Sequence, residues 1–293
     1  MTTPRNCAGH RMNLLQAWNR HILNTFVATM IAALSVFMLA QAAKAEELAE
    51  RFAPHDPKSK VTVDHSAWSK LLKKHAHAGE DGLNRFDYAG LNKDGRGDLK
   101  KYLGQLQAVK PAKLNRDEQF AFWTNLYNAK TVDIIAEHYP VDSIRDIRLT
   151  SFIFPGPWRE EVVKVDGVDL SLDDIEHRIM RPIWRDPRIH YVVNCAAVGC
   201  PNLQLEAYTS ADLETMMERA AREYINSPRG VRFDGKDIIV SSLFDWYADD
   251  YGGSTSRILA HIRKYADPVL NDRLAGATSI SDYEYDWALN DKK

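Results

Sequence analysis

Between His177 and Cys200 the chain reads HRIMRPIWRDPRIHYVVNCAAVGC, and Pro201 follows. Two histidines and two cysteines this close can do three kinds of chemistry. A thiolate beside an imidazole is a nucleophile with its base. The same side chains can ligate zinc. Two cysteines can also close a small structural disulfide beside two ordinary histidines. Four residues separate Cys195 from Cys200, the longest spacing a structural zinc pair favours, and the pattern is not the C-x-x-C of a redox pair. Gly199 lets the chain turn, and Pro201 ends any local helix. Nucleophile and disulfide both remain open. In the first case Cys195 or Cys200 attacks and His190 or His177 is the base. Asn128 or Asn194 (Asn125 is a third candidate) then orients the ring or donates to the oxyanion.

Other signatures are weak. There is no G-x-x-x-x-G-K-[ST], no G-x-S-x-G and no H-E-x-x-H, and no cofactor is expected. Asn92 to Leu103 imitates a calcium loop, but its fifth position is Arg96 and its twelfth is Leu103, neither of which can serve as the required ligand. Asp98 reads better as a helix cap. Ser242–Tyr251 gathers aromatics with Asp249 and Asp250. At helical spacing the aromatics read as core rather than as carbohydrate-stacking residues, and the aspartates as a solvated helix end rather than as the lining of a cleft.

The first 45 residues have the layout of a signal peptide. Arg5, Arg11 and Arg20 precede the apolar run FVATMIAALSVFMLA (26–40), which leads to Ala43-Lys44-Ala45. Fifteen residues are short for a membrane span, which needs about 20. Export to the periplasm or the medium is therefore expected, with no stable membrane insertion after cleavage. Cleavage removes Cys7 and four basic residues. The remaining 34 Lys and Arg face 40 Asp and Glu, a net charge of −6, which argues against nucleic acid as partner. An exported protein meets oxidising conditions, in which paired cysteines can be joined.

The elements that must position the cluster are α+β. Residues 46–60 read as a flexible lead-in, and 61–293 as one domain. Asp64 caps a helix to about Ala78, and Asp98–Val109 forms another. Asn115 opens the longest, to Tyr139. That helix is apolar on most sides and so is the central buried one. Glu161–Val165 and Val168–Leu170 flank an Asp166-Gly167 turn. Ser171 with Asp174 resembles a capping box for a helix carrying His177. Arg188–Val193 is β-rich, and Thr209–Asn226 is helical. Val231–Phe233 and Asp237–Val240 form a second hairpin, and helices fit Leu243–Tyr251 and Ser256–Tyr265. The predicted architecture is a central buried helix, peripheral helices and an antiparallel or mixed sheet built largely of hairpins.

Seven blocks carry a family resemblance: FWTNLYNAKTVDII, YPVDSIRDI, LSLDDIEHRIMRP, DPRIHYVVNCAAVGCPNL, SPRGVR, SSLFDWYADDYGG and YDWALND. In this order they resemble domain-of-unknown-function family 547, from about Leu114 to the C-terminus. The resemblance marks Cys195, Cys200, His190 and His177 out from the other histidines. Ala-Ala-Val between the cysteines departs from the small polar residues frequent there. Two expectations follow. One is a thiol hydrolase or acyltransferase acting on peptide- or amide-like substrates. The other is a non-catalytic binding or scaffold domain with a Cys195–Cys200 disulfide and a small-molecule or peptide ligand.

Overall fold

The computed structural model describes residues 43–91, 93–149 and 155–292. The chain divides into two units, 1–47 and 48–293. Residues 1–42, and with them nearly all of the expected signal peptide, lie outside the described residues. The architecture of the second unit is α+β, as the sequence indicates.

Its framework starts from α1 (Ser66–His75), β1 (Ala76–Ala78), β2 (Asn84–Phe86), α2 (Lys93–Gln107) and α3 (Arg116–His138). In α1, Trp68, Leu71, Leu72 and His75 are buried, the stripe the spacing predicts. The helix stops at His75, because Ala76–Ala78 pair antiparallel with Asn84–Phe86. The second helix starts earlier than Asp98 and buries Leu99, Tyr102, Leu103 and Leu106. Asn115 caps α3 by accepting from the Glu118 N–H at 2.9 Å. Burial extends around α3 on every side, so it forms the axis of the fold.

Residues 46–60 are not a loose lead-in, since several of them pack on this axis. Leu48 and Phe52 are buried, and the Phe52 ring meets Trp123 edge-on at 5.1 Å. Arg116 donates to the Ala53 carbonyl at 2.9 Å. The packed body therefore begins well before Val61.

Beyond α3, β3 (Val163–Val165) and β4 (Val168–Leu170) pair through a turn with Asp166 at φ 47° and Gly167 at φ 84°. Two positive φ values in a two-residue loop are what Asp-Gly supplies. Ser171 and Asp174 then cap each other's backbone N–H groups at 3.0 Å. They open α4 (Asp174–Met180), a wide turn of π type that continues into α5 (Arg181–Trp184).

Residues 188–193 differ from expectation. They are helical, with α6 spanning Ile189–Val192. The Asp186 side chain accepts from the Arg188 N–H at 2.9 Å, and the Pro187 carbonyl accepts from the His190 N–H at 3.2 Å. This Asp-Pro start nucleates a helical turn that overrides the β propensity of Ile, Tyr and Val.

The rest comprises α7 (Leu213–Ile225), β5 (Val231–Asp234), β6 (Asp237–Ser241), α8 (Leu243–Trp246), α9 (Thr255–Tyr265), α10 (Pro268–Arg273) and β7 (Asp282–Glu284). The segment expected as one helix to Tyr251 breaks after α8 and resumes as a 3₁₀ turn, Ala248–Tyr251. The third strand, β7, joins the β5–β6 hairpin in parallel, giving a mixed sheet.

After β7 the chain runs beside the cysteine loop and closes it. Val198 N–H donates to Ala288 O, Gly199 N–H to Asp286 O and Asn290 N–H to Ala196 O, at 2.8–2.9 Å. The same tail reaches β2 through Phe86 N–H to Asn290 O at 2.9 Å. Gly199 is required by this approach, because a Cβ there would lie 2.8 Å from Asp286 N and 3.0 Å from Asp286 O. Backbone atoms cannot swing aside as a side chain can. Gly199→Ala is expected to destabilise the protein by about 1–3 kcal/mol, read as a lower urea midpoint. An unchanged midpoint would show that the tail does not hold the loop.

Candidate functional site

Cys195, Cys200, His177 and His190 line one cleft of about 450 Å³, together with Trp246 and Tyr285. The cysteines are joined as a disulfide with their Cα atoms 6.3 Å apart, so neither sulfur is a thiolate in this form. Tyr285 covers the bond. Its hydroxyl donates to Cys200 Sγ at 3.0 Å and lies 3.1 Å from Cys195 Sγ. Burial pushes this phenol well above its ordinary range, so it stays protonated and can donate. Among the described residues no histidine is hydrogen-bonded to either sulfur.

His190 is occupied elsewhere. It is buried, and its Nε2 lies 2.6 Å from Asp250 Oδ2. Its Nδ1 faces Glu176 Oε1 at 3.3 Å, a charge contact rather than an aligned hydrogen bond. Tyr247 stacks on the imidazole with ring centres 4.0 Å apart. Arg181 Nε lies 2.6 Å from Asp250 Oδ2, and its guanidinium sits 5.0 Å from the Tyr247 ring centre. Two cations and two carboxylates thus interlock behind the cleft. Burial alone would depress the His190 pKa, but Asp250 and Glu176 outweigh it and the pKa is raised. Burial likewise opposes ionisation of Glu176, yet His177, His190 and Arg181 bring its pKa down to about 2. Asp250 is also held below its ordinary value, with burial outweighed by His190 and Arg181. The result is a clamped imidazolium, with no free lone pair to act as a base.

His177 is half-buried at the cleft. Its Nε2 is 3.8 Å from Asp173 Oδ1 and its Nδ1 is 3.9 Å from Glu176 Oε1. Burial raises the Asp173 pKa, against the pull of His177. Among the described residues no group of three or more His, Cys, Asp or Glu side chains is arranged to hold a metal ion.

The asparagines serve the backbone. Asn128 donates to Val192 O and accepts from Asn194 N–H, both at 2.8 Å. Asn194 donates to Pro201 O at 2.7 Å and accepts from Ala196 N–H at 2.8 Å. Asn125 grips both backbone groups of Tyr208 in the same way. Each amide replaces a missing stretch of secondary structure for a buried loop. Asn128 and Asn194 therefore shape the cysteine loop, and their amides are engaged there rather than with the histidines.

Sequence reasoning missed much of the cleft. Asp250, read as a solvated helix end, is the partner of His190. Trp246, read as core, is 46% exposed. Trp158, Tyr285 and Trp287 also line the cleft, and the YDW triplet at 285–287 is the aromatic signal of it visible in the sequence. Gly156, at φ 78°, lies under Trp158, and a Cβ there would fall 1.9 Å from the ring.

The charge cluster makes stability depend on pH. A raised His190 pKa adds stability that is complete below its ordinary 6.5 and is lost as pH rises through the folded value. The lowered pKa values of Glu176 and Asp250 add stability present above their ordinary 4.5 and 3.8, and lost as pH falls towards the folded values. Stability from this cluster is therefore greatest between about pH 4.5 and 6.5. Urea unfolding is expected to give a lower midpoint at pH 8.5 than at pH 6, and His190→Gln is expected to flatten that difference. The variant should also cost about 3–5 kcal/mol, because it leaves the buried Glu176 carboxylate without its imidazolium neighbour. An equal pH dependence in both proteins would rule out the clamp.

No curated protein and no solved structure matches the chain. The family match covers α3 through α7, and so includes all four Cys and His residues of the cleft. The later blocks of the resemblance, 227–232, 241–253 and 285–291, fall outside it. Residues 111–225 match the model of the family described as protein of unknown function, DUF547.

Proposed function

We propose that the chain is an exported, non-catalytic binding domain whose cleft takes a small-molecule or peptide ligand over the Cys195–Cys200 disulfide. The observation that carries this is the disulfide itself, capped on both sulfurs by Tyr285 and hydrogen-bonded to no histidine. A thiol hydrolase needs a free thiol with an imidazole in hydrogen-bond reach to take its proton. Here the sulfurs are joined, and His190 is committed to Asp250 and Glu176. Binding needs neither group free. The cleft volume of about 450 Å³ lies within the small-ligand range of about 300–1,000 Å³, and an apolar wall with a few polar groups is the usual composition of such sites.

Export rests on the N-terminal pattern, and a disulfide agrees with an oxidising location. No helix among the described residues is long and apolar enough to cross a membrane.

Two measurements test the reading. Denatured protein from the exported fraction should contain no titratable thiol, and should gain two on reduction, with no labelling of the native protein by an electrophilic amide probe. Labelling of Cys195 or Cys200 in the native protein, abolished by His177→Ala or His190→Ala, would establish the hydrolase instead. N-terminal sequencing of the same material should begin near Glu46. A start at Met1 in membrane-bound protein would mean a retained anchor.

A further inference from the structure

We infer that the ligand is a neutral saccharide, with a sugar ring stacked on the aromatic wall formed by Trp246, Trp287 and Tyr285; this rests on the binding reading above. The wall is a fixed platform. Trp246 and Trp287 stack with centres 5.7 Å apart, and Tyr285 packs on both at 4.9 and 4.7 Å. Trp158 adds an edge contact to Trp287 at 5.7 Å, and Arg145 sits 5.2 Å from the Trp287 ring centre. Rings that hold one another lose little freedom when a ligand arrives. Trp246 still leaves 46% of its surface to solvent, while its neighbours Leu243 and Phe244 are buried. A large indole surface left wet at the lining of a cleft is apolar area available to a partner.

The polar part of the remaining lining has its carboxylates facing cationic or imidazole groups. Asp173 lies 3.6 Å from Arg159 and 3.8 Å from His177. Glu176 faces His190, which also pairs with Asp250. An ionic ligand would add an unmatched charge to this balance, at a desolvation cost. A neutral ligand rich in hydroxyls would not. Each hydroxyl both donates and accepts, so it can meet the carboxylate of Asp173, the guanidinium of Arg159 and the ring of His177 in turn. A sugar ring combines the two requirements, with C–H groups on its faces and hydroxyls around its rim. A planar heteroaromatic meets the first but offers fewer rim hydroxyls, and a quaternary ammonium ion meets neither the neutrality nor the hydroxyl requirement.

The test is a titration of the purified protein with a broad panel of neutral mono- to tetrasaccharides, followed by tryptophan fluorescence and calorimetry. Choline, indole and adenine serve as cationic and heteroaromatic comparisons. Expected is saturable binding of at least one neutral saccharide with a change in tryptophan emission. Trp246→Ala should weaken it at least tenfold and Trp246→Phe less, with both variants remaining folded by circular dichroism at the titration temperature. Saccharide binding that is indifferent to Trp246→Ala overturns the inference. So does binding of choline or a heteroaromatic alone, which leaves the binding cleft standing with another ligand. Binding of none of these probes overturns the saccharide and counts against the cleft as a ligand site.

Discussion

The cleft depends on a buried imidazolium. His190 is held between Asp250 and Glu176, with Tyr247 stacked on it. Those residues come from three separate places: Glu176 from α4, His190 from α6, and Asp250 from the 3₁₀ turn after α8. An apolar core of similar volume could hold the same segments together with equal or better stability, since buried ion pairs repay their desolvation poorly. Charge adds direction. A carboxylate oxygen 2.6 Å from a ring nitrogen fixes position and rotation where a methyl contact would leave slack. The pair therefore acts as a locator for the helices behind the cleft. The same commitment that makes His190 a good locator makes it a poor base.

The aromatic wall is built on that locator and on the tail. Tyr247 and Trp246 are adjacent in sequence, so fixing the ring of Tyr247 against His190 also fixes where α8 presents Trp246. Tyr285 and Trp287 arrive from the other direction, on the tail that runs beside the cysteine loop. Their register is set by main-chain hydrogen bonds at Ala196, Val198 and Gly199. The two sets meet at the contacts of Trp246 with Tyr285 and Trp287. A shift of either support would move one half of the wall past the other.

What the sequence made legible was local. Asn115 as cap, the stripe of α1, the Asp166-Gly167 turn and the Ser171/Asp174 box each involve residues within one or two turns of one another, and each is observed. The cluster around His177 and His190 was legible as a place, because composition alone makes it unusual. Its wiring was not. His190 finds Asp250 sixty residues on, and Cys195 finds Tyr285 ninety residues on. No periodicity encodes such pairings. The misreading of 188–193 has the same origin in reverse. Ile, Tyr and Val argue for a strand, whereas the Asp-Pro pair before them starts a helical turn, and burial of His190 and Tyr191 within it settles the competition. Asn128 looked like a catalytic amide because type alone cannot tell an oxyanion donor from a backbone brace.

The disulfide is better understood as setting shape than as adding stability. Closing so short a loop removes unfolded-state entropy worth about 2 kcal/mol in the chain-entropy picture. Within that loop Ala196 is held at φ 62°, a left-handed conformation that costs an ordinary residue about 1–2 kcal/mol. The two contributions nearly cancel. What remains is geometry: a bend whose carbonyl at Ala196 and N–H groups at Val198 and Gly199 all face the tail. Asn194 braces the same bend from inside, through Ala196 N–H and Pro201 O. The sulfur bridge, the strained alanine and the asparagine brace thus converge on one task, which is to present an edge to which the Tyr285–Trp287 segment can attach. A loop of cysteines devoted to that task has little need of a reactive thiol. The two residues that first suggest nucleophilic chemistry are then those that build the binding surface.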